Sequence, residues 1–267
     1  MKHLFFTICA FYLTHGICQE EEGRKVFVGI NVGTKIANKQ YAQRYAGWYN
    51  DQLAIVMVDN PNTYYQIYQL LGNKDFDLAY DSYPMNMRYT PGLLTGVHLG
   101  YVISPNLQTS IDANFSKCTS KDAFSIVVYD PANTSSEPIY DLGQLVGKES
   151  RFDGRYNFEY LSDGDKYKFI IGLSGIFTGW RIEQHYALFQ NYQMPLYQKF
   201  DPMNNITNRV KSIGWGIGAN FGIDFRFNDK FVAQLMYQPY HCKINVGIVP
   251  NRRLLLHHDI VLRVLWK

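Results

Sequence analysis

The stretch 213–227 reads Ile-Gly-Trp-Gly-Ile-Gly-Ala-Asn-Phe-Gly-Ile-Asp-Phe-Arg-Phe. Its odd positions, from Ile213 and Trp215 to Phe225 and Phe227, are all apolar. Its even positions are glycine, asparagine, aspartate or arginine. Successive side chains of a strand point to opposite faces, so a period of two predicts a strand with one greasy face; a helix would scatter the same residues around its axis. Residues 151–160 repeat the pattern, with Phe152, Tyr156, Phe158 and Tyr160 opposed to Arg151, Asp153, Arg155, Asn157 and Glu159. Six further segments follow the rule: 26–34, 93–103, 107–115, 167–177, 231–238 and 254–266. The expectation is eight strands.

The connections between these segments alternate in length. Ser104-Pro105-Asn106, Ser162-Asp163-Gly164-Asp165 and Asn228-Asp229 are tight, turn-forming links. The others are long, at about 35–90, 118–150 and 182–210, with a shorter one at 246–252. An up-and-down antiparallel sheet with that alternation carries its turns at one end and its loops at the other, as outer-membrane barrels do. A soluble lipocalin-like barrel, apolar side inward, makes the same alternation. Two features favour the opposite orientation. Glycines such as Gly29, Gly33, Gly96, Gly172, Gly214, Gly218 and Gly222 share a face with the charges, which suits a narrow bore. Aromatics on the apolar face gather near the tight turns (Tyr101, Phe158, Tyr160, Tyr167, Phe225, Phe231 and Trp266), forming an interfacial belt. The expected fold is all-β, an eight-stranded antiparallel up-and-down transmembrane β-barrel with long external loops.

Composition narrows the setting. The chain has 267 residues, and its net charge of +3 without a dense basic cluster argues against a nucleic-acid partner. Lys2 and His3, an apolar run over 4–13 and Gly16-Ile17-Cys18 read as a signal peptide over 1–18. Cleavage at Cys18/Gln19 would leave a barrel domain over 19–267; lipid attachment to Cys18 is the poorer reading, because Ile17 stands where a small residue is usual. No stretch reaches 18 consecutive apolar residues, so no transmembrane helix is expected. Beyond the leader only Cys118 and Cys242 remain, and no disulfide framework is visible. The expected location is the bacterial outer membrane.

Gly29-Ile30-Asn31-Val32-Gly33, the repeated hairpins and the aromatic last strand resemble small outer-membrane barrels of the OmpA/OmpX type. More closely they resemble the PorT-like barrels of Bacteroidota, in which a mature Gln start is frequent. The likeness covers the strands, about half of the chain, and the terminal Lys267 departs from the usual final aromatic. That family is defined by architecture, so the resemblance implies a barrel in the outer membrane and transfers no functional residue.

Three constellations are candidates for function. Arg151, Asp153, Arg155, Glu159, Asp224, Arg226, Asp259 and Arg263 share the inward face, with His98, Asp112, Lys168 and His257 nearby. They read either as a salt-bridged plug or as an ion path, and an eight-stranded bore favours the plug. In His257-His258-Asp259 the outer two residues share a face, a weak general-base candidate without a positioned nucleophile. In the first long loop, Asn60-Pro61 to Gly72 reads as a capped helix. There Tyr41, Tyr45, Trp48, Tyr49, Tyr64, Tyr65 and Tyr68 form either a self-packed cap or a partner-binding surface. No cofactor and no metal site is expected, since no ligand spacing is present. The expected partners are outer-membrane lipid and another envelope protein met through the external loops. The leading functional expectation is a non-enzymatic anchor or recognition component, accessory to an envelope or secretion assembly. A lipid-modifying or proteolytic barrel enzyme, a narrow-pore transporter and a soluble ligand-binding barrel are the alternatives.

Overall fold

The computed structural model describes residues 26–48, 52–79, 81–164, 166–196, 211–228, 230–244 and 254–266. The expected leader 1–18 with its cleavage site, Tyr49 and the 246–252 connection lie outside them.

The strands are β1 (Val26–Ile36), β2 (Asp75–Asp77), β3 (Tyr89–Thr90), β4 (Gly92–Ser104), β5 (Leu107–Tyr129), β6 (Ile139–Leu161), β7 (Tyr167–Phe189), β8 (Tyr192–Pro195), β9 (Lys211–Arg226), β10 (Phe231–Ile244) and β11 (Leu255–Trp266). Eight of them close a ring in the order β1, β4, β5, β6, β7, β9, β10, β11, each antiparallel to its neighbours. The seam runs from Val28 opposite Trp266 to Ile36 opposite His258. The short strands β2 and β3 pair with β5, and β8 with β7. The fold is the expected eight-stranded antiparallel barrel, which leaves no strand of the ring with an open edge.

The facing is also as expected. Leu173, Ile217 and Ile30 are 71%, 62% and 62% exposed, whereas Arg155, Asn157 and Asp259 are 2% exposed or less. A continuous apolar surface of that kind cannot rest in water, and in a bilayer it meets its own solvent. Glycine has a steric reason on the inside: a Cβ on Gly96, Gly214 or Gly216 would press into the neighbouring strand, and one on Gly100 would overlap the Phe27 ring. Among the described residues no helix is long and apolar enough to cross a membrane.

The structure corrects the strand lengths. The strands β5, β6 and β7 have 23 residues each, about twice what a bilayer needs. The expected loop 118–150 is therefore a β-hairpin projecting beyond the apolar band, with only residues 130–138 as its tip. The expected loop 182–210 likewise begins with eight more residues of β7, to Phe189, and with β8. In these upper halves the sidedness inverts. Low in β5 the inward residues are Gln108, Ser110, Asp112 and Asn114; high in β5 they are Phe124, Ile126 and Val128. On β7, Glu183 is an extra residue between Ile182, opposite Glu149, and Gln184, opposite Lys148. This bulge shifts the inward set from Trp180 and Ile182 to His185, Ala187 and Phe189.

The first long loop fills the space that the projecting strands enclose. It contains α1 (Lys39–Ala42), a 3-10 turn (Gln43–Tyr45), α2 (Gln52–Met57) and α3 (Pro61–Leu70). The Asn60 side chain accepts from the Asn62 and Thr63 amides, Pro61 opens α3, and Gly72, at φ 72°, ends it, as the sequence predicts. Tyr45, Leu53, Met57, Ile67 and Met87 are fully buried in one cluster with Phe124, Ile126, Leu145 and Phe189.

Candidate functional site

The bore is a column of ion pairs built by strand parity. Low in it, Asp112 of β5 accepts from Asn31 Nδ2 at 2.8 Å, Asn157 Nδ2 at 2.6 Å and Arg263 Nη2 at 3.0 Å. His98 Nδ1 lies 2.7 Å from Asp112 Oδ1, the oxygen that Asn31 also reaches. Glu159 accepts from Gln108 at 2.7 Å and Asn220 at 3.1 Å, and Asp224 from Gln234 at 3.2 Å. One tier higher, Lys35 pairs with Asp153 and with Asp259 at 3.3 Å, and donates to Tyr240 Oη at 2.6 Å. Arg155 pairs with Asp259, donates to Gln238 at 3.1 Å and lies 4.5 Å over the Tyr240 ring.

At the top of the column, Glu149 receives four donors. They are Arg151 Nε at 2.6 Å, Trp180 Nε1 at 2.6 Å, Tyr89 Oη at 2.7 Å and Tyr45 Oη at 2.9 Å. Three elements thus converge on one carboxylate: the barrel wall (Arg151 and Trp180), the strand entering it (Tyr89) and the cap (Tyr45). Burial, followed by the charge on Glu149, holds the Tyr45 and Tyr89 hydroxyls well above the usual phenol range, so both remain donors at physiological pH. A Cβ on Gly147 would overlap the Tyr45 ring, which explains glycine there. Tyr41 ties the cap to the opposite wall: it donates to Cys242 O at 3.2 Å and accepts from Ile244 N at 2.9 Å. Beside Tyr45, His185 has its pKa lowered to about 4, first by burial and then by Arg44.

Against the expected interior set, Arg151, Asp153, Arg155, Glu159, Asp224, Asp259 and Arg263 are all buried in the bore. Arg226 is a correction. It ends β9 and is exposed, because the last residue of a strand at the rim no longer faces a partner across the bore. The His257–Asp259 pairing is a second correction. Asp259 is taken by Lys35 and Arg155, whereas His257 Nδ1 accepts from the Asn38 amide at 3.2 Å and faces Arg151 Nη1 at 3.3 Å. Its ring is stacked between Tyr41 and Tyr240, at 5.5 and 5.0 Å. It is a packing element, not an oriented base.

The aromatic set of the first loop divides. Tyr41 and Tyr45 are buried and belong to the cap, which corrects their placement on a partner surface. Trp48 and Tyr65 are exposed, while Tyr64 and Tyr68 are half-buried and stack on each other, Tyr64 also on Phe76. Sequence reasoning missed Lys35 and Glu149, which lie just beyond the ends of predicted strands (34 and 151), one alternation from the inward Gly33 and Arg151. Carrying the parity on by two residues finds both.

No protein-family model matches the chain, and no curated protein matches it. Among solved structures it is similar to Neisserial surface protein A, with 9% identity and a TM-score of 0.44 over 92% of this chain and 99% of that one. It is also similar to OprG of Pseudomonas aeruginosa, with 9% identity and a TM-score of 0.37 over 91% and 93% of the two chains. Ail, the attachment invasion locus protein of Yersinia pestis, gives 6% identity and a TM-score of 0.35 over 91% and 99%.

Chemically, the column is a set of compensated charges. Among the described residues the buried groups comprise five cations (Lys35, Arg44, Arg151, Arg155 and Arg263) and six carboxylates (Asp112, Glu149, Asp153, Glu159, Asp224 and Asp259), so opposite signs nearly balance. Charges held in this way are costly to separate, and they fix the strands around them. Among the described residues no group of three His, Cys, Asp or Glu side chains is placed to hold a metal ion.

Proposed function

We propose that this chain is a non-enzymatic outer-membrane barrel with a closed bore, acting as an anchor that presents a structured external platform to another envelope component. The single observation that carries this reading is the Glu149 junction. There the cap, the wall and the column are fastened to one buried carboxylate, so the bore is filled from its middle to its external mouth. A passage for solute needs that junction broken; a platform needs it kept.

The platform has a candidate contact face. On the outer side of the β5–β6 projection Tyr129, Tyr140 and Leu142 are 55%, 56% and 66% exposed, well beyond the apolar band, where no lipid covers them. Apolar groups on a water-exposed sheet surface are characteristic of an interaction site. Of the loop aromatics, Trp48 and Tyr65 remain on the outside to join such a surface. A role accessory to a secretion or envelope assembly would use this face.

Two measurements test the reading. Purified protein in planar bilayers is expected to show no stable ohmic conductance, and reproducible openings would overturn the closed bore. Site-specific photo-crosslinking from position 142 in intact cells is expected to give a discrete adduct absent from a control at Leu173 on the lipid face. Identical patterns from both positions would overturn the platform.

A further inference from the structure

The barrel wall carries a feature that neither the bore nor the platform uses. Where the apolar band gives way to the projecting strands, strand register aligns one outward residue from each of four neighbours: Lys117 of β5, Ser150 of β6, Arg181 of β7 and Lys211 of β9. Three of the four are cations. Lys148 stands one step higher, opposite Thr119. The carboxylate near this row is Glu183, which accepts from Ser150 Oγ at 2.8 Å and lies 3.8 Å from Arg181 Nε. Arg181 is 67% exposed, so that pair is solvated and weak.

The next row down, toward the bilayer, is Phe115, Phe152, Gly179 and Ile213. Missing side-chain volume at Gly179, between Phe152 and Ile213, opens a groove of about 670 Å³ whose lining includes Phe115, Phe152 and Ile213 below and Arg181 and Lys211 above. This glycine is unlike those of the bore. A Cβ built on it meets its first neighbours only at 3.9 Å, and the outward Gly154 and Gly175 are equally unobstructed. No contact within the barrel demands glycine at these places, and an apolar trough under a cationic row is complementary to an acyl chain beneath an anionic headgroup.

We propose that this groove binds one phosphorylated glycolipid of the external leaflet, with an acyl chain over Gly179 and phosphates on the row above. Neighbouring strands lie about 4.8 Å apart, so Arg181 and Lys211 are adjacent while Lys117 stands about 10 Å from Arg181. One phosphate fits the Arg181–Lys211 pair, where a guanidinium offers two parallel donors. Engaging Lys117 as well requires a second phosphate across a headgroup as wide as a sugar, which selects a bis-phosphorylated glycolipid over a glycerophospholipid. The inference rests on the membrane orientation proposed above, with the long connections outside.

The test uses the full-length protein folded in detergent micelles and titrated with purified bis-phosphorylated lipid A, its dephosphorylated form and phosphatidylglycerol, with bound lipid counted by native mass spectrometry. The wild type is expected to retain one bis-phosphorylated lipid at least about ten-fold more tightly than either comparator. Gly179→Leu, which puts a branched side chain into the groove from a position where its Cβ meets nothing closer than 3.9 Å, and the double variant Arg181→Gln/Lys211→Gln are each expected to weaken retention by about ten-fold or more. Equal retention by Gly179→Leu and wild type, or by phosphatidylglycerol and the bis-phosphorylated lipid, would show annular lipid only and overturn the site. The heat-dependent gel mobility of a folded barrel is read on every sample. A protein that remains water-soluble and never acquires that mobility refutes the membrane reading itself, a result separate from loss of lipid by a folded barrel.

Discussion

The lower and upper halves of β5, β6 and β7 are continuous strands with opposite insides. In the lower half Asp112, Asn157 and Arg155 face inward while Ile111, Tyr156 and Leu173 face out. In the upper half Phe124, Ile126 and Leu145 face inward, and Lys121, Gln144 and Glu183 face out. The β5–β6 ladder runs unbroken through both halves, and β6–β7 is interrupted only by the bulge at Glu183; the solvent outside changes. Lipid asks for apolar side chains outside and leaves the polar ones to pair across the bore, whereas water reverses the assignment and lets the helices of the first loop supply an ordinary core. Glu149 sits where the two regimes meet.

The sharpest way to break the lower regime is to remove a shared counter-ion. Asp259→Ala leaves Lys35 and Arg155 each short of a buried partner and is expected to cost about 3–5 kcal/mol, read as loss of the folded band in a heated gel series. Leu173→Arg, at the middle of the lipid-facing stretch of β7, is expected to cost about 2–4 kcal/mol in folding into vesicles. The same change at Ala123, on the outward side of the upper half, should be nearly neutral, and equal costs would erase the distinction between the halves.

At the boundary, Glu149→Gln keeps the shape and removes the charge. Because four donors share that carboxylate, a loss of about 1–3 kcal/mol is expected, read as faster proteolysis within 39–90 while the barrel stays resistant. The last effect is one of pH. His185 in the upper core has its pKa held near 4, below its unfolded value of about 6.5, so its neutral form belongs to the folded cap. Stability is therefore full above about pH 6.5 and falls as the pH drops toward 4, by at most about 1.4 kcal/mol for each unit. In His185→Gln the protease sensitivity of the cap should lose this dependence between pH 6.5 and 4; an unchanged profile would assign the titration elsewhere.

Much of the lower half was legible in the sequence. Parity placed Asp153, Arg155, Glu159, Asp259 and Arg263 in the bore, and Asn60, Pro61 and Gly72 marked the ends of a helix. The upper half was not, for a physical reason. At Lys117–Asp122 both faces of β5 are polar or small (Cys118 aside), so the alternation fades just where the sidedness inverts, and the strand reads as loop. On β7 the extra residue Glu183 shifts the parity and conceals Ala187 and Phe189 as a continuation. The Glu149 junction was hidden because its donors come from four separate segments, at 45, 89, 151 and 180, and nothing local announces that they meet.

The bulge at Glu183 acts on the polypeptide as a frameshift acts on a message. Every residue of β7 above it is read on the opposite face from the one that counting up from the membrane would assign. Lengthening the strand there by two residues would leave the cap's surroundings in phase, while adding or deleting one would turn Ala187 and Phe189 outward and strip the helices of their seat. Anyone grafting a different external module onto this barrel must therefore join it in the correct phase, and Glu183 marks the splice point.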